Sequence, residues 1–238
     1  MWFTKKPAPA PEAGVSLEKA QERFVDLTKK ATVSIKKSGL AGQKARVALC
    51  LDISGSMSDL FRQGIVQDVV ERVLALGVNF DDNRAIDVFL FGERSHNVGE
   101  LAEAEFHGYV DRVLKQYRLE GGTRYAGVIN DIMTKYTSEA GDPAYILFVT
   151  DGDNSDKPEA ERAIIAASRH GLFWQFIGVG NGSFKFLEEL DTMGGRFVDN
   201  ANFFQVNDIK KIGDEELYDR MLGEFPSWLK LARDKKII

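Results

Sequence analysis

Apolar and polar positions along this chain fall into two kinds of block. Near-unbroken apolar runs occur at Val47–Leu51, Ile86–Phe91, Ala144–Val149 and Leu172–Val179. Short runs of this kind, bounded by glycine or charge, suit strands buried on both faces of a parallel sheet. Between them, apolar residues recur at three- and four-residue steps, the spacing of an amphipathic helix. Leu17, Ala20, Phe24, Leu27, Ala31 and Ile35 draw one such stripe, which Lys36-Lys37 and Gly39 end. Phe61, Ile65, Val69, Val73 and Leu76 predict a continuous helix over Leu60–Leu76, closed by Gly77. Gly64 inside it costs about 1 kcal/mol relative to alanine.

The same spacing predicts helices over Glu103–Leu119, Tyr125–Tyr136, Lys157–His170 and Phe184–Leu190. Glu215–Leu222 and Pro226–Arg233 read as two short ones, with Pro226 suited to a first turn. Ser95–Leu101 is polar and broken by Gly99, as an edge strand would be. The last strand is expected at Arg196–Val198 or Phe203–Val206. Strands and helices alternating at these lengths predict an α/β fold around a parallel sheet.

Pro7, Pro9 and Pro11, spaced by alanine, make residues 1–15 a stiff, extended tail. Residues 16–40 are expected as a helix packed on the core, with a docking helix for a partner as the alternative. Residues 41–238 are then one domain with a C-terminal helical extension. No segment repeats at a fixed period.

Charge changes the picture in one respect. Residues 1–50 carry +6 and the remainder −11. So acidic a body is a poor general binder of nucleic acid; it suits cations, or a basic segment such as the chain's own N-terminal part. The single cysteine, Cys50, excludes an intrachain disulfide framework and reads as a small buried hydrophobe. Met1-Trp-Phe-Thr-Lys-Lys lacks the apolar core of a secretory signal. No apolar run approaches the ~20 residues of a membrane span. A cytoplasmic protein that does not insert into membranes is the expectation.

Candidate chemistry gathers at the ends of the apolar runs. The first ends in Asp52-Ile-Ser54-Gly-Ser56, the run at Ala144 ends in Thr150-Asp151-Gly-Asp153, and Gly121-Gly-Thr123 precedes a predicted helix. Ligands of open α/β sheets sit outside the carboxyl ends of the strands. Aspartates and hydroxyls without cysteine or histidine favour Mg²⁺ or Mn²⁺ over Zn²⁺. Each part has an ordinary alternative: the serines and Thr123 as helix caps, Asp151-Gly152 as a turn.

Taken in this order, Asp52-x-Ser54-x-Ser56, Thr123 and Asp151 resemble the metal-ion-dependent adhesion site (MIDAS) of von Willebrand factor A (vWA) domains. Gln67–Arg72, Phe80–Asp82, Ile86–Gly92 and Val149–Asn154 are further similar to the vWA proteins of bacterial tellurium-resistance (Ter) systems. The resemblance implies a doubly wound, mostly parallel six-stranded sheet with helices on both faces and Ser95–Leu101 as an antiparallel edge strand. It implies Mg²⁺ (or Mn²⁺ or Ca²⁺) held by Asp52, Ser54, Ser56, Thr123 and Asp151, with a position left for a partner's Asp or Glu. The function implied is a divalent-metal-dependent protein-interaction module without catalysis, with other Ter-system proteins as partners in a stress-response complex.

Two rivals remain. A phosphatase of haloacid-dehalogenase type also places an aspartate at the end of its first strand, but needs a carboxylate where Ser54 stands. Its lysine would have to be Lys135. The other rival is a scaffold with a vestigial metal site that binds through its N-terminal helix. Asp153, Asn154 and Asp156 read as solvated loop and cap residues, or as a second ion site. Asp81-Asp82 reads as a turn at the far end of the sheet. His96, His107 and His170 are too scattered to be ligands, and Gly178-x-Gly180-x-Gly182 is a weak phosphate loop.

Overall fold

The apolar runs become six strands of one sheet: β1 Arg46–Asp52, β2 Ala85–Phe91, β3 Ser95–Ala102, β4 Ala144–Thr150, β5 Leu172–Val179 and β6 Ala201–Val206. The structure, a computed structural model, describes residues 17–138 and 141–238. The tail expected over residues 1–15 lies outside the described residues. The strand order is β3-β2-β1-β4-β5-β6. All pairs are parallel except β2 with β3, which run antiparallel across a register shift at Val88/Phe89. Chain order turns back at the β1–β4 boundary, where such sheets open a crevice beyond their carboxyl ends.

The alternation of side chains along β1 builds two cores. Val47, Leu49 and Leu51 face one cluster and Ala48 and Cys50 the other. The first is covered by α1 (Leu17–Lys37), α3 (Ile65–Gly77), α4 (Tyr109–Gln116), α8 (Asp214–Leu222) and α9 (Phe225–Asp234). The second is covered by α5 (Ala126–Thr137), α6 (Lys157–Ala167) and α7 (Lys185–Thr192).

Two predicted helices are broken, and a glycine breaks each. The continuous helix expected over Leu60–Leu76 is instead a short α2 (Ser58–Arg62) followed by α3. Gly64 between them takes φ +74°, a left-handed conformation that no residue with a Cβ adopts cheaply. Gly108, at φ +60°, likewise reduces the helix expected over Glu103–Leu119 to a 3-10 turn at Glu103–Glu105 followed by α4. Gly77, the last residue of α3, serves packing instead: a Cβ there would lie 2.3 Å from Ile86 Cγ2 on β2. The last strand is Ala201–Val206, and Arg196–Val198 is not part of it.

The basic N-terminal segment lies on the acidic body. α1 buries Ala20, Phe24, Leu27, Ala31 and Ile35, and Phe24 stacks on Phe106 at 4.7 Å. Fully burying each of its larger apolar side chains contributes about 1.5–3 kcal/mol. Arg23 pairs with Asp68 (2.8 Å) and Glu71 (2.7 Å) on α3, and Lys30 with Asp214 (2.8 Å) on α8. Arg72 Nη2 reaches the same Asp214 at 2.9 Å. Burial raises the Asp214 carboxyl, but the hydrogen bonds and charges of Lys30 and Arg72 outweigh it and hold the group below the usual range. These pairs are partly buried, so desolvation offsets much of their attraction, and exposed pairs add at most about 1 kcal/mol each. The apolar face therefore carries the docking, and the charges set its register.

Candidate metal centre

Three loops meet at the carboxyl edge between β1 and β4. After Asp52 the chain passes Ile53 and Ser54 and enters a 3-10 turn at Gly55–Met57. Ser54 is extended (φ −65°, ψ 159°), and its N–H donates back to Asp52 Oδ1 at 2.7 Å. The Ser54 and Ser56 hydroxyl oxygens then lie 3.0 Å apart. Ser56 Oγ donates to Asp151 Oδ1, just past β4, at 2.8 Å. Three of the five residues singled out in the sequence, Ser54, Ser56 and Asp151, are thus joined oxygen to oxygen across the β1–β4 boundary, and Asp52 is tied to them through the Ser54 N–H. Neither serine caps a helix through its side chain.

This oxygen set fits a small divalent ion. An octahedral centre with ligands at about 2.0–2.1 Å places adjacent oxygens about 2.8–3.0 Å apart. The Ser54–Ser56 and Ser56–Asp151 separations, 3.0 and 2.8 Å, match that edge. The electrostatics point the same way. Asp52 is fully buried, and burial pushes its carboxyl up to about 6, with the Asp151 charge adding to the rise and hydrogen bonds from Ser54 and Thr150 opposing it. Burial also raises Asp151, against a hydrogen bond from Ser56. Among the described residues neither carboxylate pairs with a lysine or arginine. The site is short of positive charge.

Thr123 is placed by its backbone. Glu120 N–H donates to Ile53 O and Gly55 N–H to Glu120 O, both at 2.8 Å, so Ser54 and Glu120 pair as an isolated parallel bridge. At the other end, Ser155 N–H and Oγ donate to Thr123 O at 2.9 and 3.1 Å. The 120–123 segment therefore spans from the loop after β1 to the loop after β4. Among the described residues the Thr123 hydroxyl has no hydrogen-bond partner. Thr123 is not the cap of α5, which starts at Ala126.

That cap is Asp156. Its two oxygens accept the N–H groups of Tyr125 (2.8 Å) and Ala126 (2.9 Å), and Asn154 Nδ2 donates to it at 2.7 Å. It is only 4 % exposed, so it is no solvated loop residue, and it caps α5 rather than its own helix. Asp153 pairs with Lys157 at 2.8 Å. With Asp153 paired to Lys157 and both Asp156 oxygens accepting N–H groups, these carboxylates are not gathered as a second ion site.

Sequence reasoning missed two residues beneath the oxygen cluster. Thr150 Oγ1 donates to Asp52 Oδ2 at 2.6 Å, fixing the carboxylate that Ser54 holds from the other side. Tyr125 OH donates to Gly152 O at 2.6 Å and lies 3.2 Å from Thr150 Oγ1. Thr150 ends a run of buried strand residues, where a β-branched side chain is unremarkable, so its hydroxyl gave no signal. The glycines at the end of β5 and after it serve packing: a Cβ on Gly182 would lie 2.1 Å from Asp151 O, and one on Gly178 would lie 2.8 Å from the Phe184 ring. The Asp151 loop therefore rests on Gly182. Lys135 pairs with Asp87 at 2.8 Å, in register with Ala48 near the start of β1 and away from Asp52. It is not placed for the phosphatase reaction.

Residues 44–238 match the family model vWA-TerF-like, described as the vWA domain found in the TerF C terminus. The uncharacterized protein YcbR of Bacillus subtilis (strain 168) is 43% identical over 220 residues, covering 90% of each chain. The manganese-loaded TRAP protein of Plasmodium vivax shares the fold with a TM-score of 0.55 at 15% identity, over 78% of this chain and 74% of that one. Proximal thread matrix protein 1 of the mussel byssus, with a zinc-occupied MIDAS motif, gives 0.53 at 19% identity, over 76% of this chain and 46% of that one.

Proposed function

The chain belongs to the vWA-TerF-like family, and from that premise we propose that it is a divalent-metal-dependent protein-interaction module. Asp52, Ser54, Ser56, Thr123 and Asp151 are the residues that would hold the ion, Mg²⁺ in the first instance, with Mn²⁺ or Ca²⁺ as alternatives. The observation that carries the reading is the Ser54, Ser56 and Asp151 oxygens, spaced as ligands of one small cation on two neighbouring strand ends, with Asp52 held beside them by the Ser54 N–H and no protein counter-charge. Domains of this family commonly mediate metal-dependent protein interaction. The manganese and zinc carried by structural relatives support the chemistry.

When bound, the ion supplies an electrophilic anchor for a partner's Asp or Glu. Two aspartates balance a divalent charge and the neutral hydroxyls add none, so an incoming carboxylate still meets an ion with weakly donating ligands. The chain's own residues do the positioning. Thr150 and the Ser54 N–H lock the Asp52 carboxylate, Gly182 supports the Asp151 loop, and Asp156 holds the 123–126 turn against the loop after β4. No helix is long and apolar enough to cross a membrane among the described residues. We further place it in a tellurium-resistance or stress-response complex with Ter-system proteins as partners, a reading whose one tie is the family's occurrence in the TerF C terminus.

Melting with and without MgCl₂ tests the metal. At a hundredfold excess over the dissociation constant the protein should gain about 2.7 kcal/mol, and Thr123→Ala and Asp151→Ala should each lose most of that gain. A wild-type protein indifferent to Mg²⁺ and Mn²⁺ would end this reading.

A further inference from the structure

We propose that a basic cavity beside the metal loop receives a second acidic side chain of the bound partner, so that the surface selects a segment with two acids rather than one. This rests on the interaction reading above and adds the partner's chemistry. The cavity, about 320 Å³, is lined by Arg94, His96, Tyr117, Arg118 and Glu120 among others. Glu120 is the residue bridged to Ser54, so the cavity begins one strand spacing, about 5 Å, from the metal loop.

Glu120 forms the floor and is already satisfied. Its side chain is 9% exposed, and it accepts from the Arg94 N–H at 2.8 Å, from Arg94 Nη2 at 3.3 Å, and lies 2.9 Å from His96 Nε2. The Arg94 side chain is nonetheless 76% exposed. Arg118 is exposed and pairs with no carboxylate among the described residues. Within the cavity lining one carboxylate, Glu120, stands with two guanidinium groups, while Glu93 lies outside the lining with Oε2 close against Gly122. On a body whose residues after 50 carry −11, this lining next to the proposed cation offers an acidic segment guanidinium groups to pair with. Guanidinium groups pair carboxylates through two parallel N–H donors, which gives direction as well as charge. An extended peptide advances about 3.3 Å per residue. An acidic side chain two to four residues from the metal-bound carboxylate would therefore reach Arg94 and Arg118.

Fluorescence anisotropy with labelled hexapeptides tests this. In millimolar MgCl₂, Gly-Asp-Gly-Gly-Glu-Gly should bind roughly three- to tenfold tighter than Gly-Asp-Gly-Gly-Gln-Gly. The ratio should fall to about one in the Arg94→Gln/Arg118→Gln double variant, with folding checked by melting. Arg118→Glu should reverse the preference in favour of a lysine in the fifth position. Equal affinity of the two peptides for the wild-type protein, or a preference that survives the double substitution, overturns the inference. So does a gain for phosphoserine at that position with none for glutamate, which would assign the cavity to phosphopeptides. Single-acid binding that is the same in MgCl₂ and EDTA sinks the metal reading itself, an outcome separate from the ratio.

Discussion

Replacing Asp52 by asparagine should stabilise the protein without metal and abolish its stabilisation by metal. Asp52 is fully buried, and its carboxyl is pushed from an aspartate's ordinary 3.8 up to about 6. The folded state therefore holds the proton more tightly than the unfolded chain. Its stabilising contribution is complete below about pH 3.8 and is lost as pH rises through about 6. Above that, holding Asp52 ionised costs the metal-free protein on the order of 3 kcal/mol.

Asparagine removes the charge and keeps the shape. Its Oδ1 can accept the Ser54 N–H, and its Nδ2 can donate to Thr150 Oγ1, whose own hydrogen turns toward Gly152 O at 3.4 Å. In EDTA near pH 7.5, Asp52→Asn should gain up to about 3 kcal/mol, or roughly 6–12 °C in Tm for a chain of this size. Urea melts of both proteins, with EDTA and with MgCl₂, at acid and neutral pH, measure the difference. Groups common to both proteins cancel in it: raised Asp191 and Glu224 on one side, lowered Glu120 and Asp214 on the other. The variant's advantage should vanish near pH 4 and appear by about pH 7.5, and MgCl₂ should raise only the wild type. A variant less stable than wild type in EDTA at neutral pH, or a difference independent of pH, refutes the reasoning.

Thr150→Val removes the hydroxyl under Asp52 Oδ2 and should weaken Mg²⁺ binding about tenfold or more by calorimetry, as loss of a ligand-orienting partner does. Asp156→Ala uncaps the Tyr125 and Ala126 N–H groups and should lower unfolding free energy in urea by about 1–2 kcal/mol, with Mg²⁺ affinity falling alongside. Gly182→Ala forces a Cβ against Asp151 O, so it should lower Mg²⁺ affinity in the same titration although no ligand is altered.

Much of the fold was legible because the strands announce themselves. Val47–Leu51 and Ala144–Val149 are apolar on both faces and occur as adjacent parallel strands. The meeting of Asp52, Ser54, Ser56 and Asp151 was legible because they sit where strands end, in an order that resembles the vWA metal site, and the structure brings their loops together. What escaped was whatever depends on backbone sign or on contacts distant in sequence. Gly64 and Gly108 sit inside good helical periodicity, and only their positive φ shows the break. Asp156 looked like a cap for the helix it precedes, yet it caps one beginning thirty residues earlier. Thr150 and Tyr125 carry no motif, since their hydroxyls matter only through Asp52 and Gly152. The +6 of the first fifty residues left a basic segment on the acidic body as one reading beside cation binding and plain solubility; the structure pairs α1 with Asp68, Glu71 and Asp214.

If one cation is shared by these strand ends, crystals grown with MnCl₂ will reveal it through the anomalous signal of the ion. A peak is expected between the Ser54 and Ser56 hydroxyls, with Asp52, Thr123 and Asp151 around it and a position open to solvent or to a neighbouring carboxylate. A crystal without that peak, or with manganese bound only at surface carboxylates elsewhere, would contradict a shared cation.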